Sequence, residues 1–239
     1  MNNINIYILS LLNNDKRKEI ISKNKKLFPQ IKVIKSTNGF NKQEVIDEFN
    51  KLDTTFYQLN KYKNTNFNTY GSLANFITKV KIMKYQVDNK IPYICFIEDD
   101  LLLKPNFVSF IQEKKDKYLK DNINMLRLDK WGEGYITSLE SSKRILEHIK
   151  RTGIIQNIDN QLRENCGKEL RILKTPWELV VNTNKGDCLK TEMLEPNFKQ
   201  LLLNNKKKSL LNNKEYLEEN NKKYYNYNIK KPKGYLDNY

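Results

Sequence analysis

Apolar residues along this chain follow two spacings in turn, short strand-like runs and longer helical stripes. Ile4 to Leu11 passes from alternating to continuously apolar and predicts a strand. Asn13-Asn14-Asp15 can cap a helix bearing Ile20, Ile21, Leu27 and Phe28, which Pro29 ends. Ile31 to Ile34 predicts a second strand and Ser36-Thr37-Asn38-Gly39 a turn, because Asn-Gly tolerates the positive φ that turns need. Asn41 with Glu44 resembles a capping box, followed at helical spacing by Val45, Ile46, Phe49 and Leu52. Asp53 to Tyr70 is polar, Asn-rich and aromatic, and reads as a loop at a site. Gly71 opens a long helical pattern through Leu73, Phe76, Ile77, Val80, Met83 and Val87. Tyr93 to Ile97 predicts a buried strand, Pro105-Asn106 starts a helix with Phe107, Phe110, Ile111 and Leu119, and Ile123 to Leu128 is another strand. Trp131-Gly132-Glu133-Gly134 reads as a tight turn into the short strand Tyr135-Ile136-Thr137, and Ser138 or Ser141 caps a helix with Ile145, Leu146 and Ile149. Strands alternating with helices imply an α/β fold with a largely parallel central sheet flanked by helices.

After Leu203 apolar anchors become sparse, so the pattern divides into a domain over residues 1–203 and a basic Asn/Lys/Tyr-rich tail or peripheral helix over 204–239. The net charge is +15, from 43 Lys+Arg against 28 Asp+Glu. Arginine occurs only at Arg17, Arg127, Arg144, Arg151, Arg163 and Arg171, so most of the positive charge is lysine. That bias suits general attraction to anions better than base reading, which favours the guanidinium fork. Tyr216, Tyr224, Tyr225 and Tyr227 between lysines keep a nucleic-acid-binding alternative open, although a solvated tail explains them as well. Cys95, Cys166 and Cys188 show no paired spacing, and with His148 as the single histidine there is no zinc pattern. No run reaches membrane-spanning length and the N-terminus lacks a basic leader, so a soluble, cytoplasmic protein is expected.

The chemistry concentrates at Glu98-Asp99-Asp100, placed between the Tyr93–Ile97 run and Leu101-Leu102-Leu103. Three carboxylates at a strand end cannot be buried unpaired. They either reach solvent as an ordinary turn or hold a cation, and the carboxyl ends of strands are where open α/β sheets bind ligands.

In order, the segments resemble glycosyltransferase family 25, the group of lipooligosaccharide and collagen galactosyltransferases. Ile6-Tyr7-Ile8-Leu9-Ser10-Leu11 with Lys16-Arg17 is similar to that family's opening strand and basic pair. Ser36-Thr37-Asn38-Gly39 resembles its second-strand ending, and Gly71-Ser72-Leu73-Ala74-Asn75-Phe76 its Gly-Cys-x-x-Ser-His helix start. Phe96-Ile97-Glu98-Asp99-Asp100 matches its Leu-Glu-Asp-Asp segment. Gly134 to Ser138 with Ser142 to Leu146 resembles its Ala-Tyr-x-x-Ser strand and following helix, and Ile158-Asp159 its later Val/Ile-Asp. Two residues depart from the pattern: Asn75 stands for Ser and Phe76 for His, which implies altered contacts or an altered or lost activity.

The resemblance implies a GT-A-type nucleotide-sugar-binding fold, a nucleotide-sugar donor (UDP expected), a glycan or glycoprotein acceptor, and Mn²⁺ or Mg²⁺. Asp100 is the first candidate for direct coordination, with Glu98 assisting through the metal or the donor. Asp99, one residue along the strand, points to the opposite face or caps the next segment. Ser10, Arg17, Asn38, Gly39, Gly71, Ser72 and Asn75 are the donor-binding candidates. Arg17, Asn38, Gly39, Gly71 and Ser72 have a plainer reading as a solvated first turn, a turn or a helix cap, and for Lys16 the plain reading is preferred. An inverting transfer needs a base for the acceptor hydroxyl, and Asp159 is the candidate, with Asp129 and Glu133 beside Trp131 as rivals. His148 reads as a packing or surface residue. A catalytically degenerate transferase-like binding subunit is the remaining alternative, motivated by Phe76.

Overall fold

The computed structural model describes residues 4–12, 14–52, 69–119, 123–128, 132–154, 157–162, 171–174 and 180–182. The expected tail, Cys166, Cys188, Asp129, Trp131 and most of the Asp53–Tyr70 segment lie outside them.

In chain order the elements are β1 (Asn5–Ser10), α1 (Asp15–Leu27), β2 (Lys32–Lys35), α2 (Lys42–Lys51), α3 (Tyr70–Asp88), β3 (Tyr93–Glu98), β4 (Leu101–Leu103) and α4 (Phe107–Tyr118). There follow β5 (Ile123–Arg127), β6 (Gly134–Ser138), α5 (Leu139–Thr152), the single turn α6 (Ile158–Asn160), β7 (Arg171–Lys174) and β8 (Val180–Asn182). Polar caps set the helix starts. The side chains of Asn14, Asn41, Thr69 and Ser138 accept backbone N–H bonds at the first turns of α1, α2, α3 and α5. Ser138, not Ser141, is therefore the cap of α5. The capping box of α2 is only half formed: Asn41 Oδ1 accepts from the Glu44 N–H, whereas Glu44 Oε1 accepts from the Asn38 N–H instead of from Asn41. Leu27 is exposed at the end of α1, off the buried stripe.

The main sheet has the order β2-β1-β3-β6-β5-β7. All pairs are parallel except those of β6, which runs antiparallel between β3 and β5. The largely parallel α/β expectation holds, with one reversed strand inserted. Alternation along the strands divides the core in two. Tyr7, Leu9, Ile94, Phe96, Met125 and Tyr135 face α2, α3 and α5, whereas Ile6, Ile8, Cys95, Ile97, Leu126 and Ile136 face α1 and α4. A second, two-stranded antiparallel sheet joins β4 to β8.

The order places β2 on one side of β1 and β3 on the other. The chain thus reverses its winding at β1, and helices cover opposite faces to either side of it. Loops that leave neighbouring parallel strands toward opposite faces leave a crevice between them. Here that crevice opens at the carboxyl ends of β1 and β3, where Leu9 is in register with Glu98.

Candidate functional site

Because side chains alternate on a strand, Glu98 and Asp99 leave the end of β3 on opposite faces of the sheet. Asp99 falls on the α1 side. It is buried, its Oδ2 accepts from Ser10 Oγ at 2.6 Å, and its Oδ1 forms a short ion pair with Arg17 Nη1. Arg17 reaches there from the first turn of α1, and its Nη2 lies 3.7 Å from Asp100 Oδ2. Ser10 also accepts the Leu12 N–H at 3.0 Å, where Leu12 has φ +58. Ser10 and Arg17, both expected at the donor crevice, are thus brought together by Asp99.

Glu98 falls on the α3 side, where it meets a residue that sequence reasoning missed. Lys79 is fully buried in the middle of α3, and its Nζ lies 2.8 Å from Glu98 Oε1, 2.6 Å from Asp159 Oδ1 and 3.0 Å from the Gly132 carbonyl. Its ammonium also stands over the Tyr135 ring, 5.6 Å from the centroid. Asn75 Nδ2 donates to the same Glu98 oxygen at 3.3 Å, and the Tyr135 hydroxyl donates to Asp159 Oδ1 at 3.2 Å. Asp159, on α6, is brought to the β3 end beside Glu98 through their common partner Lys79. Glu133 of the adjoining turn accepts the Glu98 N–H through its carbonyl at 2.8 Å.

The charges follow from burial and partners. Burial pushes the Asp100 carboxyl up to about 6, Glu98 and Asp99 push the same way, and Arg17 opposes them. Burial also raises Asp159 to about 6, with Lys79 pulling against it and Glu98 adding to it. For Lys79 burial favours the neutral amine, but Asp159 and Glu98 outweigh it and hold the amine above its ordinary value. The two carboxylates keep the lysine charged, while burial and Glu98 outweigh the lysine's pull on Asp159. Cys95 is buried in the same strand and its thiol is pushed up by burial, which makes it a packing residue.

The turn after β2 forms the neighbouring wall. The Ser36 N–H donates to the Ser10 carbonyl at 2.7 Å, and the Thr37 N–H to Thr78 Oγ1 at 3.0 Å. A Cβ on Gly39 would lie 2.5 Å from Gly71 Cα, so these two candidate glycines let backbones touch and seat the turn on the start of α3. The Asn38 side chain accepts the Phe40 N–H within its own turn, and the Ser72 N–H donates to Thr69 Oγ1, so both carry out the plainer roles of turn and cap. Phe76, the departure from the family histidine, is fully buried in the core among residues of α2 and α3. His148 is buried on α5, with Nδ1 3.4 Å from Arg151 Nη2, and takes no part in the site.

Among the described residues no three His, Cys, Asp or Glu side chains converge on one point that would hold a metal ion. The donor chemistry at Asp100 nevertheless fits a hard cation, because burial and acidic neighbours outweigh Arg17 there and a further positive charge would stabilise the carboxylate. Glu98 fits less well, since its Oε1 is engaged by Lys79 and Asn75.

No described helix is long and apolar enough to cross a membrane. Curated proteins yield no sequence match. Two solved structures share a loose likeness. One is a glycosyltransferase involved in glycosylation of the major capsid of PBCV-1, at 10% identity and TM-score 0.40, covering 72% of this chain and 81% of that one. The other is a cytidylyltransferase from Leptospira borgpetersenii serovar Hardjo-bovis, at 15% identity and TM-score 0.40, covering 77% and 82%. The family profile for glycosyltransferase family 25 (LPS biosynthesis protein) matches residues 3–157, from before β1 to the threshold of α6. With well over half its length matched, including the opening strand, the acidic turn and the β6–α5 segment, the chain belongs to glycosyltransferase family 25.

Proposed function

We infer that the protein transfers a hexose from a nucleotide sugar, UDP being the expected nucleotide, to a hydroxyl of a glycan or protein acceptor, with inversion and with help from a divalent cation. The observation that carries this reading is the placement of Glu98-Asp99-Asp100 at the reversal between β1 and β3 in a chain of a glycosyltransferase family. In the mechanism, the donor diphosphate lies at the carboxyl ends of these strands, as in a GT-A-type fold. Asp100 is the residue that would hold Mn²⁺ or Mg²⁺ there, with donor oxygens and water completing the shell. When bound, the cation neutralises charge on the departing diphosphate.

The chain's own residues supply the rest. Arg17 is fixed by Asp99 at the mouth of the crevice, where a guanidinium favours the anionic donor. Gly39 and Gly71 keep that wall thin enough for close approach of a ligand to backbone. Asp159 takes the proton from the acceptor hydroxyl as its oxygen attacks the anomeric carbon opposite the diphosphate. Its Oδ1 is held by Lys79 and Tyr135, which assigns the proton to Oδ2, and a carboxylate raised to about 6 is a stronger base than an ordinary aspartate while still ionised at neutral pH.

The test is a donor screen for release of nucleoside diphosphate from a panel of nucleotide sugars with Mn²⁺, Mg²⁺ or EDTA, with thermal-shift binding of the same donors alongside. Metal-dependent release from one donor, lost in Asp100→Ala, is the expected result. Silence in both assays would sink the reading.

A further inference from the structure

Lys79 enters the mechanism so far only as a partner of Asp159 Oδ1, yet its ammonium is held from three sides. An ammonium has three N–H donors. Here all three are met, by Glu98 Oε1 of β3, Asp159 Oδ1 of α6 and the Gly132 carbonyl of the turn before β6. The burial is layered: the Lys79 side chain is 0% exposed, whereas Glu98 and Asp159 are 23% and 22% exposed. The cation thus lies beneath the floor of the crevice and the carboxylates stand above it. The third contact is equally constrained. Gly132 has φ +93, and a Cβ there would collide with the Tyr135 hydroxyl and lie 3.0 Å from Asp159 Cβ.

A core needing only stability has a simpler solution, because well-packed apolar residues often match or exceed a buried ion pair. What the charge adds is a fixed relation between two acids that no backbone hydrogen bond connects. We propose that Lys79 is a positioning residue for glycosyl transfer: its ammonium ties Asp159 to Glu98, setting where the acceptor base stands relative to the donor at the end of β3. The proposal rests on the glycosyl-transfer reading above.

Because Lys79 acts through Asp159, its loss costs nothing further once Asp159 is disabled. The experiment is steady-state hydrolysis of UDP-galactose, UDP-glucose and UDP-N-acetylglucosamine with Mn²⁺, water standing in for the acceptor hydroxyl, by wild type, K79M, D159N and K79M/D159N. Circular dichroism reports folding of each variant. K79M is expected to lower kcat by about 100-fold, the scale of losing a placed base, with KM for the donor within about twofold. The double variant is expected to match D159N, since effects within one unit do not add. If K79M itself fails to fold, the D159N and K79M/D159N pair still decides, because the double variant removes cation and partner together. A double variant well below D159N, a K79M with wild-type kcat, or a double variant that unfolds while D159N folds would each make Lys79 a structural cation and overturn the proposal. No turnover by wild type and no thermal shift with any donor would instead remove the glycosyl-transfer reading, and the proposal with it.

Discussion

At Asp100 stability and function pull in opposite directions. Its carboxyl is buried, stands beside Glu98 and Asp99, and has Arg17 Nη2 at 3.7 Å, with the balance holding it at about 6 against an ordinary 3.8. Between those two values the folded protein binds a proton that the unfolded chain does not. The stability that this proton contributes is therefore complete below 3.8 and is lost as pH rises through about 6. Asp100→Asn removes the ionised form altogether. In EDTA at neutral pH the variant is expected to be more stable than wild type by at most about 3 kcal/mol, since each tenfold change in proton affinity is worth about 1.4 kcal/mol. The difference should close as the pH falls below 3.8, where wild type is protonated as well. The same variant should lose at least about 100-fold of metal-dependent turnover, since even groups behind a ligand are worth about 10–100-fold. Melting curves across pH and the donor assay check both halves; a D100N that is less stable at neutral pH would show that Asp100 is held by partners stronger than its burial.

The acidic turn keeps its place through an element contact that no local pattern reveals. Asn24, buried on the inner face of α1, donates from Nδ2 to the Leu101 carbonyl at 2.8 Å and accepts the Leu103 N–H on Oδ1 at 2.9 Å. One side chain thus acts as a strand partner for β4, whose pairing with β8 is a separate backbone contact. Asn24→Ala would leave two buried backbone groups unpaired, at about 1–3 kcal/mol each. The expected outcome is a fall of about 2–5 kcal/mol in denaturant stability, with faster exchange of the Leu103 amide. A loss below about 1 kcal/mol would mean that the turn is anchored elsewhere. Gly39→Ala is expected to act on the other wall, raising KM for the donor, because its Cβ would meet the Gly71 backbone at 2.5 Å and push turn and helix apart. An unchanged KM would separate that wall from the donor.

These contacts mark how far the sequence could be read. Periodicity and caps located most of the helices and strands, because those signals are local: Asn14, Asn41 and Ser138 sit where their side chains close a first turn. The acidic cluster was legible for the same reason, as charge between apolar runs. Lys79 was not, since a lysine among apolar residues on a helix reads as an exposed position. The signal that would have found it is its face: Asn75 and Ile82 or Phe76 and Met83 lie one turn to either side, and all but Asn75 are buried. A charge on such a face must meet an opposite one. Which acids it meets depends on β6 entering between β3 and β5 and on α6 returning to β3, and both are long-range pairings. Asn24 and β8 escaped for that reason too.

At the scale of the whole molecule the +15 charge remains to be used. Among the described residues, Arg17 and Lys79 at the site are already committed to acids. Several surface lysines pair within their own helices, as Lys18 with Asp15, Lys23 with Glu19 and Lys84 with Asp88, and such exposed pairs contribute little. On the proposed nucleotide-sugar reading, the remaining lysine excess acts at long range, as a field drawing a doubly charged diphosphate toward the molecule. Such a field accelerates encounter without touching the chemical step. Raising the salt from about 50 to 500 mM shortens the screening length from over 10 Å to under 5 Å. The expected result is a several-fold fall in kcat/KM for the nucleotide sugar with kcat unchanged. Single-stranded RNA added near physiological salt should then compete weakly. Were the positive charge built for nucleic acid, the RNA would inhibit strongly, and its binding would fall with salt by many decades, one counterion for each phosphate contacted. A salt-sensitive kcat/KM beside salt-insensitive kcat assigns the charge to donor capture; strong, steeply salt-dependent RNA binding assigns it to a strand.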